Sequence, residues 1–137
     1  MGRVMTIARI LFALSAASLV AAPAIAGLSR AERGEAKLAK MLDGRVAGES
    51  VDCIRDFSQE GMTTVDGVGF VFKRGKTIYV NRPANAAFVD DSDLPVIEKW
   101  SGSQLCRLDR VEMRDRITLM HGPVTLLGDF VPYTRVD

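Results

Sequence analysis

A chain of 137 residues with 18 basic and 17 acidic side chains is close to neutral. That balance speaks against nucleic acid as the main partner, because a phosphate-binding domain needs an excess of Lys and Arg on one face. With 47% hydrophobic residues, two cysteines and no repeat or low-complexity segment, the composition is that of a single globular domain.

Met1 to Arg9 carries Arg3 and Arg9 and no acid, Ile10 to Val20 is apolar or small throughout, and Ala24-Ile25-Ala26 offers small side chains to a peptidase. This pattern predicts a secretory signal over residues 1–26, cleaved between Ala26 and Gly27, and a mature protein that is periplasmic or secreted. The apolar run falls short of the roughly 20 residues a span needs and Pro23 breaks its end, so no transmembrane span is expected in the mature chain. No cysteine follows the cleavage point, which disfavours a lipid anchor. Loss of Arg3 and Arg9 turns the formal charge of +1 into a slight excess of acids.

Ser29 to Asp43 reads as an amphipathic helix. Ser29 and Glu32 have capping-box spacing, while Ala31, Leu38, Met41 and Leu42 fall near one face. Gly44 is placed to end the helix, and Gly34 weakens its middle. Residues 27–49 are therefore assigned to this helix and a linker, and residues 50–137 to a β-rich domain.

Cys53 and Cys106 lie 53 positions apart and not in a C-x-x-C arrangement. In an oxidising compartment such a pair is expected to form a structural disulfide. Between them, Met62 to Val65 and Val68 to Phe72 flank Asp66-Gly67, a tight-turn dipeptide, and Arg74-Gly75 turns the chain into Lys76 to Val80. These runs predict a three-stranded meander.

Asn81 to Ser103 is irregular, holding Pro83, Pro95, three acids and Trp100; Pro95 to Trp100 is expected to form a short helix. Arg110 to Arg114 alternates, with Val111 and Met113 predicted inward and the charges outward. Asp115-Arg116 is read as the turn, with Ile117 to Met120 and Val124 to Val131 as strands. The fold expected is mainly β (α+β), a small barrel or sandwich of about six short antiparallel strands with an N-terminal helix.

The motifs that suggest chemistry are incomplete. Gly75-Lys76-Thr77 resembles the end of a phosphate loop, but Phe70 stands where its first glycine belongs and a strand follows. Gly67 and Gly69 lack the third glycine of a dinucleotide fingerprint, Phe72 occupying that place. Asp91-Ser92-Asp93 starts like a calcium loop, which then fails at Pro95, Val96 and Gly102. His121 is the single histidine and precedes Gly122-Pro123, so it reads as a turn residue, with no serine elbow to accompany it. No catalytic set, cofactor or metal is thereby nominated. Arg107, Arg110, Arg114 and Arg116 recur around one strand, either as a solvated face with cross-strand ion pairs or as a surface patch for an anionic envelope component.

Cys53-Ile54, Asp66, Tyr79-x-Asn81, Leu105-Cys106 with Asp109, and Leu127-Gly128-x-Phe130 occur in an order and spacing that resemble a family of small exported proteobacterial proteins of unknown function. The resemblance spans about residues 51–131. Its members often carry a further cysteine shortly before the Leu-Gly-x-Phe segment, where this chain has Val124-Thr125-Leu126, so a second bridge is not implied. It bears on fold and compartment, and implies no activity. The function expected is that of a periplasmic, non-catalytic module binding another envelope protein or envelope component. The competing expectations are a small envelope hydrolase with a cryptic site, and a protease- or lysozyme-inhibitor-like protein with a rigid loop in Asn81–Ser103.

Overall fold

A computed structural model describes residues 27–55 and 61–137; the expected signal peptide, with Ala26 at its end, lies outside the described residues. In chain order the elements are helix α1 (Arg30–Met41) and strands β1 (Arg45–Ala47), β2 (Cys53–Arg55), β3 (Met62–Val65), β4 (Gly69–Arg74), β5 (Thr77–Asn81), β6 (Leu94–Glu98), β7 (Gln104–Cys106), β8 (Arg110–Arg114), β9 (His121–Leu126) and β10 (Phe130–Arg135). No helix among the described residues is long and apolar enough to cross a membrane.

The predicted meander forms as β3-β4-β5, with its first turn at Gly67 (φ +63°). It grows into a five-stranded antiparallel sheet of order β1-β10-β5-β4-β3, beside a three-stranded sheet β6-β8-β9 and a two-stranded sheet β2-β7. Ten strands among the described residues replace the expected six or so: β1, β2 and β7 are three residues long and too short to show periodicity, and β6 takes the place of an expected helix. No barrel closes: β1 and β3 remain outer strands of the large sheet.

Alternation along each strand divides the apolar residues into two cores. Phe70, Phe72 and Phe130 on one face of the large sheet pack with Ile54, Leu105, Val111 and Met113 of the two smaller sheets. The Phe72 and Phe130 rings lie 5.7 Å apart at 57°, a tilted geometry favourable for aromatic quadrupoles. Val65, Val71, Ile78 and Val80 point to the opposite face and are covered by Leu38 and Met41 of α1 and by Leu42 just after it.

α1 begins with the expected capping box: the Ser29 hydroxyl accepts from Glu32 N–H at 3.2 Å, and the Glu32 carboxylate accepts from Ser29 N–H at 2.6 Å. Gly44 adopts the anticipated left-handed conformation (φ +69°). Gly34 is buried against the β3–β4 turn, where a Cβ would stand 2.0 Å from the Asp66 carbonyl oxygen. Helix propensity alone makes Gly34→Ala stabilising by about 1 kcal/mol. Backbone contact reverses the sign, so the variant should lose roughly 1–3 kcal/mol in urea unfolding as the helix is pushed off its turn.

Three local expectations are corrected. Pro95 to Trp100 is no helix; Leu94–Glu98 is strand β6, and proline is tolerated there because β6 is an edge strand. Ile117 to Met120 is no strand but the β8–β9 connection, because the Asp115 carboxylate accepts from Ile117 N–H (2.9 Å), Thr118 N–H (2.6 Å) and the Thr118 hydroxyl (2.9 Å). His121 opens β9 instead of lying in a turn.

Two structural joints hold distant segments together. Cys53 and Cys106 form the predicted disulfide as directly opposed residues of β2 and β7. Asp109, buried beyond the bridge, accepts from Cys106 N–H (2.7 Å) and Trp100 N–H (3.2 Å). Fully buried Asn81 donates to the Gly128 carbonyl (2.7 Å) and accepts from Gly128 N–H (2.9 Å), locking β5 to the turn before β10.

Candidate binding cleft and its flanking loop

The outer strand β3 of the large sheet and the outer strand β6 of the small sheet do not pair, and a cavity of about 470 Å³ opens between them. Met62, Thr63 and Thr64 line one side; Leu94 and Pro95 line the other; Lys37 of α1, Asp91 and Arg116 stand at the rim. Its lining is mixed: Met62, Leu94 and Pro95 are apolar, Thr63 and Thr64 carry hydroxyls, and Lys37, Asp91 and Arg116 are charged.

Asp91 belongs to an acidic corner in which one carboxylate oxygen each from Asp66, Asp90 and Asp91 lies within 4.8 Å of the others. Asp66 accepts from Asp91 N–H at 2.7 Å. Asp90 receives the Ser92 hydroxyl (2.6 Å), Ser92 N–H (2.9 Å) and Arg30 (2.7 Å), and these bonds, the Ser92 hydroxyl first, hold its carboxyl below the usual range. Lys37 reaches Asp91 at 3.4 Å. Helix α1 thus supplies two cations to this corner, whose bonds tie the helix to the loop before β6.

Arg116 is held from the other side, donating to the carbonyls of Ser92 (3.2 Å) and Asp93 (2.9 Å). Immediately after it the β8–β9 connection turns Ile117 (93% exposed), Leu119 (56%) and Met120 (68%) outward. The Asp115 carboxylate caps this loop, and backbone bonds from Leu119 N–H to the Asp115 carbonyl and from Asp115 N–H to the Met120 carbonyl close it. Leu119 takes a left-handed backbone (φ +57°), a cost the surrounding bonds hold in place. Three large apolar side chains are thus displayed on one hydrogen-bonded loop.

The other predicted arginines have separate partners: Arg107 with Asp129 at 3.4 Å, Arg110 with Glu98 at 3.8 Å, and Arg114 with Glu112 at 2.8 Å. Arg116 lines the cleft, whereas Arg107 lines a different depression beside Arg82 and Asp129.

Glu112 departs from its expected outward position and is buried. A register shift between Glu112 and Arg114 brings His121 opposite Arg114, so that Glu112 accepts the Arg114 Nε and a terminal nitrogen and contacts His121 Nδ1 at 2.6 Å. The His121 contact, then Arg114, holds the Glu112 carboxyl below its ordinary value of 4.5. A depressed carboxyl stabilises the fold above its unfolded value and loses that contribution as pH falls through the folded one. Glu112→Gln should therefore flatten the decline in stability below about pH 4.5 by up to about one proton, read from urea midpoints across pH. The His121 side chain is 73% exposed and does not line the cleft.

No protein-family model, curated protein or solved structure matches the chain. The site is therefore argued from its own geometry. Sequence reasoning named Arg116 and the Asp91 segment but missed Thr63, Thr64 and Leu94 as cleft residues, since nothing local distinguishes an edge strand from an inner one.

Proposed function

We propose that the protein is an exported, non-catalytic binding module of the cell envelope that engages a partner through the cleft between β3 and β6 and the adjoining apolar loop. The observation that carries this reading is a preformed cavity of about 470 Å³ bordered, through Arg116, by a pinned loop exposing Ile117, Leu119 and Met120. The signal-like residues 1–26, the disulfide and the resemblance to small exported proteobacterial proteins support a periplasmic or secreted location. An inhibitor-like role, in which a loop enters a partner's cleft, draws support from the exposed apolar side chains of residues 115–120 and, within Asn81–Ser103, from exposed Phe88 and Trp100.

The test is affinity capture from envelope extracts with the oxidised protein and with an Arg116→Glu, Ile117→Ser variant, both checked for unchanged melting. The native protein should retain a partner that the variant loses by at least about tenfold, the equivalent of 1.4 kcal/mol. Identical capture by both would remove this face from consideration, and turnover of an envelope glycan or peptide by the pure protein would favour the hydrolase reading.

A further inference from the structure

We infer that the occupant of the cleft is an extended segment of a partner protein, added as a further strand along the free edge of β3 and selected for alternating apolar and acidic side chains. The inference rests on the binding-module reading and specifies its ligand.

The first support is the backbone. Among the described residues β3 pairs with β4 on one side only, so every second residue from Met62 to Val65 turns its N–H and C=O toward the cleft. Such an edge is a template for strand addition, in which main-chain bonds give affinity and alternate side chains give specificity. The opposite wall, β6, carries Pro95, which cannot donate a ladder bond; β6 thus offers apolar packing at Leu94 and Pro95 while β3 offers the pairing. The four residues of β3 allow an added strand to pair over about 13 Å, at about 3.3 Å per residue.

The second support is charge. The cleft rim holds Lys37 and Arg116 against Asp91. Lys37 is matched to Asp91, whereas the Arg116 guanidinium is held by two carbonyl oxygens and faces no carboxylate among the described residues. The Arg116 cation, standing apart from the ion-paired corner of Asp66, Asp90 and Asp91 and beside Met62, Leu94 and Pro95, suits a strand that sets apolar side chains on these residues and an acidic one at Arg116.

Three octapeptides test this on the oxidised, 15N-labelled protein: alternating valine and glutamate, alternating valine and lysine, and the valine–glutamate peptide N-methylated at every amide. The glutamate peptide should slow amide exchange at Thr63 or Thr64 by at least about tenfold, bind about tenfold more tightly than the lysine peptide, and lose that preference with Arg116→Glu. The N-methylated peptide keeps the side chains but cannot pair, and should not bind. If it binds as well as its parent, strand addition is overturned while a side-chain-binding cleft survives. If no peptide binds at millimolar concentration but envelope capture still depends on Arg116, the extended ligand is wrong and the module stands. Failure of both assays defeats both readings. Protection of the β3 amides that rises with protein concentration alone would assign the edge to a second copy of the chain, against the proposal.

Discussion

Replacing Cys53 and Cys106 by serine is expected to lower the unfolding free energy by up to about 4 kcal/mol, the chain-entropy value for a loop of 53 residues. For a domain of this size the loss corresponds to a melting shift of about 15 °C. The bridge joins directly opposed residues of a sheet only three residue pairs long, β2-β7, and such a sheet is not stable alone. Its middle pair, Ile54 and Leu105, is nevertheless buried in the main core, so opening the bridge loosens the wall packed on Phe70 and Phe130. Calorimetry of the oxidised and double-serine proteins measures the effect. A steeper urea dependence should accompany it, since the uncrosslinked denatured chain exposes more surface. A melting change under about 3 °C would mean that packing alone holds β2 and β7 together.

Asn81→Ala is expected to cost about 1–3 kcal/mol, because it removes the partner of both Gly128 N–H and Gly128 C=O, two part-buried groups. The site is tight: a Cβ on Gly128 would lie 2.7 Å from the Arg82 carbonyl, so the turn cannot swing toward other partners. The urea midpoint should fall at constant slope, with amide exchange accelerated first at Phe130 and its β10 neighbours. A loss under about 0.5 kcal/mol would show that water enters and replaces the amide.

Apart from the Cys53–Cys106 bridge, the readings that succeeded share a short range. The capping box depends on groups three residues apart, and Asp66-Gly67 on the backbone preference of one residue. Those that failed depended on what lay across the fold. Pro95 opens a helix as readily as it sits in an edge strand, and pairing with Met113 of β8 decided between them. Glu112 alternates like a solvent-facing residue, yet the register shift at its neighbour placed Arg114 and His121 over it. Ile117 to Met120 is apolar enough for a strand, but the carboxylate of Asp115 captured the N–H groups a ladder would have used.

By itself, the sequence determined the elements whose causes are local or covalent: the capped helix, the β3-β4-β5 meander and the pairing of its two cysteines. Tertiary structure alone decided which strands lie at edges, where the two sheets fail to meet, and that Asn81 and Gly128, 47 residues apart, are joined. Edge position and long-range hydrogen bonding are properties of how elements are arranged, and a strand's composition is nearly the same whether one or both of its neighbours is present. The cleft is made of that arrangement, and so the sequence named its rim cation, Arg116, without revealing the opening beside it.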